Sequence, residues 1–127
     1  MNILILGING DIANSIINKI YKKKNNYYCT FSKKKPNFEK KNIIAFKINF
    51  KTLEGQLKKI NFIKSKNIDL IINNVGDSNP YKKFEYLSDK ELNDSLKINF
   101  LSPLKIISAI LKQNLKNKKK LDIINIS

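Results

Sequence analysis

The sequence predicts an α/β domain built on a doubly wound parallel sheet, and three observations carry that expectation. Ile-rich runs of strand length, Ile3 to Leu6, Ile43 to Ile48, Ile68 to Ile72 and Leu121 to Ile126, are continuously apolar rather than alternating. Strands read this way when a sheet is covered on both faces. The stretches between them repeat apolar residues at helical spacing, and strand alternating with helix favours right-handed crossovers. At 127 residues the chain fits one domain, and no repeat, low-complexity linker or second-domain boundary interrupts it.

The elements follow in order. After the first run, Ile12, Ile16, Ile17 and Ile20 recur at helical spacing. A weaker run, Tyr27 to Phe31, is a candidate fifth strand. Leu53, Leu57, Ile60 and Ile63 predict a helix with Lys on its opposite face. The longest series, Leu92, Leu96, Phe100, Leu104, Ile107 and Leu111, extends from about Asp89 to Leu115 and predicts a long helix with an apolar stripe. Pro103 lies inside it, so a kink or a break into two helices is expected there. The last run closes the chain as an Ile-rich strand.

Composition removes several function classes. With 42% hydrophobic and 28% charged residues the chain can bury a core and is not compositionally disordered. No apolar run approaches the roughly 18 residues that span a bilayer. The first run is too short for a signal peptide and lacks a basic flank. A single Cys29 excludes an internal disulfide framework. A soluble cytoplasmic protein with no membrane partner and no metal site is the expectation. The net charge of +15 comes entirely from 25 Lys, since Arg and His are absent. Abundant Lys, Asn and Ile look like AT-rich codon usage, and the clusters Lys22 to Lys24, Lys33 to Lys35 and Lys118 to Lys120 fall between apolar segments. Readers of nucleic acid usually draw on Arg for bidentate base contacts, so no specific nucleic-acid partner is expected. Such a chain still clings to polyanions at low salt.

The stretch "NILILGINGDIA" carries the first chemical signal. Gly7 ends a strand, Gly10 follows three residues later, and Ile12 and Ala13 lead into a helix. Glycine at such a turn lets the chain reverse tightly and lets backbone approach a phosphate, and free amides at the helix start favour a pyrophosphate. Taken alone, the pattern reads equally well as an ordinary βα turn. Asp11 reads as a helix N-terminal residue rather than a catalyst. Further on, "IDLIINNVG" ends a strand in Asn73, Asn74, Val75 and Gly76. "LKINFLSPLKIISAIL" places Asn99 in the long helical series, and "LDIINIS" closes the chain.

In the order and spacing of these motifs the sequence resembles the short-chain dehydrogenase/reductase family from Met1 to Ser127. The resemblance implies a Rossmann-like fold, incomplete at its C-terminal end, and binding of a nicotinamide dinucleotide. Gly7, Ile8, Asn9, Gly10, Asp11 and Ile12 match the family's cofactor loop. Asn49 stands where the family usually has an Asp holding the adenine amino group, and its amide oxygen can still accept that hydrogen bond. Asn73, Asn74 and Gly76 match the motif that runs beside the cofactor ribose, with Val75 replacing the usual Ala. Asn99 matches the Asn of the catalytic tetrad, which kinks its helix and anchors a water in the proton relay; on its own it reads as a helix Asn satisfied by solvent or neighbours. At the end of the second strand no acid is present to reject a 2′-phosphate. "TFSKKK" instead offers Ser32 and Lys33 with Lys34, so NADP is expected over NAD; the bland reading of the same residues is a Lys-rich solvent loop.

The family's chemistry rests on a Ser after the fifth strand and a Tyr-x-x-x-Lys pair, with a small carbonyl or hydroxyl compound as substrate. Ser127 matches the residue just before that Ser, or the Ser itself after a one-residue shift. Tyr81 and Tyr86 precede the long helix, outside the motif. The chain therefore looks like the N-terminal cofactor-binding part of a reductase, expected to be inactive alone. One sheet edge and an apolar face would then be uncovered, which invites pairing into a homo-oligomer. The other readings are a noncatalytic nucleotide-binding α/β module and a basic nucleic-acid-associated protein.

Overall fold

The computed structural model describes residues 1–8, 11–77 and 82–126. Strands β1 (Asn2–Leu6), β2 (Asn26–Phe31), β3 (Ile43–Lys47), β4 (Leu70–Asn73) and β5 (Asp122–Asn125) form one sheet in the order β3-β2-β1-β4-β5. Every neighbouring pair is parallel. The order runs outward from β1 in both directions, as in a doubly wound sheet, and reverses between β1 and β4. In such sheets a crevice opens at the carboxyl ends of the two strands that flank the reversal.

Helices α1 (Asp11–Ile20), α2 (Leu57–Lys64), α3 (Asp89–Leu96) and α4 (Ser102–Lys116) supply the cover. α1 packs Ala13 and Ile17 onto Ile3, Ile5, Tyr27 and Cys29 on one face. α2 and α4 pack Ile60, Ile63, Ile106, Ile107 and Ile110 onto Leu4, Leu6 and Ile71 on the other. No glycine closes α1. The Tyr27 hydroxyl does so instead, donating to the Ile20 carbonyl at 2.7 Å and accepting from the Lys22 N–H at 2.8 Å. Residues 32–42 connect β2 to β3 without a helix, and Phe38 from this connection packs into the α1-side core.

Burial departs from the sequence expectation at several positions. β1, β2 and the centre of β4 are buried as their apolar runs predict, but β3 is only half-covered and β5 is exposed throughout. An apolar run reads the same whether its strand lies mid-sheet or at an edge. Ile12 is 62% exposed, because the buried face of α1 is centred on Ala13 and Ile17 and Ile12 lies about 140° from Ile17 at 100° per residue. Leu57 is also exposed. A 3₁₀ turn, Leu53–Gln56, precedes α2, and its tighter winding shifts the phase so that Leu53, Ile60 and Ile63 face inward while Leu57 does not.

The largest correction concerns the long series. Of the expected series Ile107 is buried, whereas Leu92, Leu96, Phe100, Leu104 and Leu111 are exposed, and α4 turns Pro103, Ile106, Ile110 and Asn114 inward beside Ile107. Leu104 with Leu111 and Ile106 with Ile110 satisfy the same helical period; packing, not period, selects the inward stripe. The expected break near Pro103 takes the form of a π-helical segment, Lys97–Leu101, between α3 and α4. Pro103 then falls in the first turn of α4, where its missing N–H costs little.

Candidate functional site

Gly7 is where the crevice begins. Its φ is +76°, and a Cβ there would lie 2.9 Å from the Asn74 carbonyl oxygen and 3.0 Å from Val75 Cα. Both are backbone atoms of the strand end across the topological switch. Two side chains fix this approach. Thr30 on β2 accepts the Gly7 N–H on its hydroxyl at 3.0 Å and the Ile8 N–H on its carbonyl at 2.8 Å. The Asn74 side-chain amide donates to the Gly7 carbonyl at 2.8 Å, while its own N–H donates to the Leu6 carbonyl at 2.9 Å. β1, β2 and β4 are thereby held together at their carboxyl ends.

A crevice of about 660 Å³ opens there, lined by Gly7, Ser32, Lys33, Asn49, Asn74 and Gly76, together with Lys47, Lys51, Val75, Asp77 and Ile98. Six of the residues singled out in the sequence thus meet on one surface. Asn49 follows β3, and its side-chain oxygen accepts the Lys51 N–H at 2.9 Å. Gln56 braces the same turn, accepting the Asn49 N–H and donating to the Asn49 carbonyl. A carbonyl oxygen has two lone pairs, so Asn49 retains capacity for one more donor.

Other expected residues lie elsewhere. Ile8 is buried in the α1-side core, and its N–H donates to the Thr30 carbonyl. Asp11 and Ile12 sit exposed in the first turn of α1. Asn73 turns toward β5, donating to the Asn125 side chain at 3.1 Å. Asn9, Gly10, Tyr81 and Ser127 fall outside the described residues.

Asn99 sits in the π-helical segment. Its side-chain oxygen accepts the Asp77 N–H at 2.6 Å, and its side-chain amide donates to the Asp77 carbonyl at 3.0 Å and to Ser95 Oγ at 3.1 Å. The side chain grips both backbone groups of the residue after Gly76, tying the crevice floor to the helix. α3 is in turn fixed by a capping box between Ser88 and Glu91. The Lys82 ammonium at 2.6 Å and the Ser88 N–H hold the Glu91 carboxyl down at about 2.

Sequence reading passed over several residues. Thr30, a buried polar side chain inside an apolar strand, was the available signal for the glycine-turn anchor. Lys47 and Lys51 carried none, being two Lys among 25. Tyr86 has Lys90 four residues on, matching a Tyr-x-x-x-Lys spacing. The structure does not assemble the pair on one helical face, because Leu87 and Ser88 between them are extended. Tyr86 is 69% exposed, and the Lys90 ammonium bonds Asp94 at 2.6 Å. Among the described residues no group of three or more His, Cys, Asp or Glu side chains is placed to hold a metal, and no helix is long and apolar enough to cross a membrane.

A parallel sheet whose order reverses beside a positive-φ glycine, with an open crevice at that point, places the chain among Rossmann-like α/β domains. The chain belongs to the short-chain dehydrogenase/reductase family: the sequence profile described as short chain dehydrogenase matches residues 2–127. No curated protein matches it. Among solved structures it is similar to 4-hydroxyisoleucine dehydrogenase complexed with NADH and succinate (20% identity, TM-score 0.83, 98% of this chain and 57% of that one). A short chain dehydrogenase from Leptospira borgpetersenii serovar Hardjo-bovis with bound NAD+ is similar at 17% identity and TM-score 0.84, over 98% of this chain and 50% of the other. A variant of ElxO with NADPH bound matches at 22% identity and TM-score 0.77, over 99% and 54%. The chain spans about half the length of these solved structures.

Proposed function

We propose that the chain is the cofactor-binding part of an NAD(P)-dependent oxidoreductase that acts on a small carbonyl or hydroxyl compound in the cytoplasm, and that it prefers NADP to NAD. The observation that carries this reading is the crevice at the β1/β4 switch, where the family motifs converge. The solved relatives with NADH, NAD+ and NADPH support the cofactor class. When bound, the nicotinamide supplies hydride transfer. Within the crevice Asn49 would accept from the adenine amino group, and Gly7 and Gly76, with the Asn74 side chain turned onto the Gly7 carbonyl, would leave room for ribose and phosphate. Ser32 and Lys33 line the crevice immediately after β2. A hydroxyl and an ammonium there suit a 2′-phosphate, whereas an acid would repel it.

The test is a pair of calorimetric titrations, NADPH and NADH, on the wild type and Lys33→Glu. Hydrogen bonds to charged groups contribute roughly 1.5–3 kcal/mol, so NADPH should bind about tenfold to a hundredfold more tightly and lose that margin in the variant. Equal affinities, unchanged by the substitution, would show that the loop reads no phosphate. Binding of neither cofactor would remove the whole reading.

Two further parts belong to the same proposal. Residues 1–127 alone do not turn over substrate, since their one Tyr-x-x-x-Lys spacing, Tyr86 to Lys90, is not assembled on one helical face. The chain also self-associates through the exposed apolar residues of α3 and α4, among them Leu92, Leu96 and Leu111, because exposed apolar side chains repeated along one helical stretch favour association.

A further inference from the structure

At the β3 side of the crevice Asn49 is exposed on the lining, in a turn whose backbone is already satisfied. The Gln56 side chain accepts the Asn49 N–H at 3.0 Å and donates to the Asn49 carbonyl at 2.8 Å. The Asn49 side chain is oriented by a group that can only donate. The Lys51 N–H meets it at 2.9 Å, so the atom on the turn is Oδ1 and the free end of the amide is Nδ2. Among the described residues no hydrogen bond from Nδ2 to another protein group is found. Asn49 therefore offers a ligand two donor hydrogens and one remaining acceptor lone pair.

Such a carboxamide serves either form of a purine at its six-position. An amino group there donates to Oδ1, and an oxo group accepts from Nδ2. Both atoms belong to one planar amide, so the ring moves by no more than the width of that group between the two arrangements. A carboxylate at the same place has acceptors only, and it would set lone pairs against an oxo group. The surroundings add donors. Lys47 and Lys51 line the crevice on either side of Asn49 in the chain, and an ammonium can bond an oxo group but not an amino hydrogen. Lys51 also lies 3.8 Å from Asp94, as an exposed pair of little strength. Among the described lining residues Asp77 is the one carboxylate, and its place after Gly76 sets it on the β4 side of the crevice.

Resting on the reading that a purine base lies against Asn49, we propose that the crevice takes 6-oxopurine dinucleotides as readily as adenine dinucleotides, and that Asn49 is the residue that removes the distinction. The mixed donor and acceptor character of its amide makes the pocket indifferent to the group at C6. An acceptor-only side chain at this position restores a preference for the amino form, because the oxo form then leaves polar groups unpaired.

The experiment titrates the whole chain by calorimetry with NADPH and with its hypoxanthine analogue, reduced nicotinamide hypoxanthine dinucleotide phosphate. Both ligands carry the 2′-phosphate, so the preference for NADP cancels in the comparison. The wild type should bind the two within about threefold of each other. Asn49→Asp keeps an oxygen for the Lys51 N–H, which leaves the turn closed. This variant should favour NADPH over the analogue by about tenfold or more. The charge it adds acts on both ligands alike and drops out of the ratio. A wild type that already prefers NADPH about tenfold would overturn the proposal, and so would an Asn49→Asp variant with the wild-type ratio. A chain that binds neither ligand would instead remove the cofactor reading itself, and the proposal with it.

Discussion

Replacing Gly7 by Ala should be among the most damaging small changes available to this chain. With φ at +76°, an L-residue there costs roughly 1–2 kcal/mol in backbone strain. The added methyl meets the Asn74 carbonyl oxygen at 2.9 Å, Val75 Cα at 3.0 Å and the Asn74 carbonyl carbon at 3.1 Å. None of these is the end of a flexible side chain. Asn74 cannot withdraw freely, since its amides bond both the Gly7 and Leu6 carbonyls. Overpacking of a tight site costs about 1–3 kcal/mol. The sum, about 2–5 kcal/mol, is a large part of the 5–15 kcal/mol that ordinarily separates folded from unfolded protein. Urea unfolding followed by far-ultraviolet circular dichroism measures it, with the slope m expected to be unchanged. Gly55→Ala is the control, because nothing lies within 4 Å of a Cβ there; its stability should stay within about 1 kcal/mol of wild type. A Gly7→Ala loss no larger than that of the control would refute the argument that β1 and β4 close on a glycine-only contact.

Other outcomes follow from the same geometry. Burial pushes the Asp69 carboxyl up, but the Asn2 N–H at 2.6 Å and the Lys119 ammonium at 3.1 Å together hold it below its usual value. Its contribution is therefore present above the unfolded-state carboxylate pKa and lost as pH falls through the lowered one. Asp69→Asn should cost at most about 1 kcal/mol at pH 7, given its solvent exposure, with the gap closing in acid; a gap persisting at low pH would contradict this. In sedimentation velocity the wild type should associate with rising concentration, and Leu96→Glu/Leu111→Glu should remain monomeric at nearly unchanged stability, since both sites are exposed. A wild type monomeric at every concentration would remove the association surface. A polypeptide of residues 1–127, supplied with NADPH and a panel of carbonyl compounds, should oxidise cofactor no faster than buffer, and Tyr86→Phe should change nothing; turnover abolished by that substitution would reinstate the Tyr86–Lys90 pair.

How much of the fold was legible depended on which elements could be read without knowing their neighbours. β1, β2 and β4 are enclosed, and their apolar runs say so. β5 carries the same Ile-rich signature while lying open at the sheet edge, because composition reports what a strand can bury and not what covers it. The helices divide in the same way. α1 presents one buried stripe, which the spacing located at Ile17 but extended wrongly to Ile12. Across α3, the π-helical segment and α4, two apolar series share a period, and the leucine series lost to the isoleucine series. Only the position of β1, β4 and the helix relative to one another selects between them. The phase shift at Leu57 has the same origin, since a 3₁₀ turn is not visible in a pattern scored at 3.6 residues per turn.

The candidate site shows a different division, between residues that build it and residues that would select its ligand. The most specific sequence signals were asparagines, and in the structure their side chains bond protein. Asn74 holds Gly7, Asn99 holds Asp77, Asn73 holds Asn125, and Asn49 caps its own turn. They are legible because a strand end that must hold its neighbour in one register tolerates few substitutes: the side chain has to donate and accept over a short reach. Lys33, Lys47 and Lys51, which line the adenosine-side part of the crevice in the proposed pose, are three of 25 lysines in this chain. A cation that discriminates between cofactors is indistinguishable in sequence from one that merely faces solvent, since both need only charge and exposure. Position in the crevice is what separates them. The architecture of this site is therefore written in scarce, geometrically demanding residues, whereas the cofactor preference proposed for it rests on abundant ones, whose place in the crevice only the fold supplies.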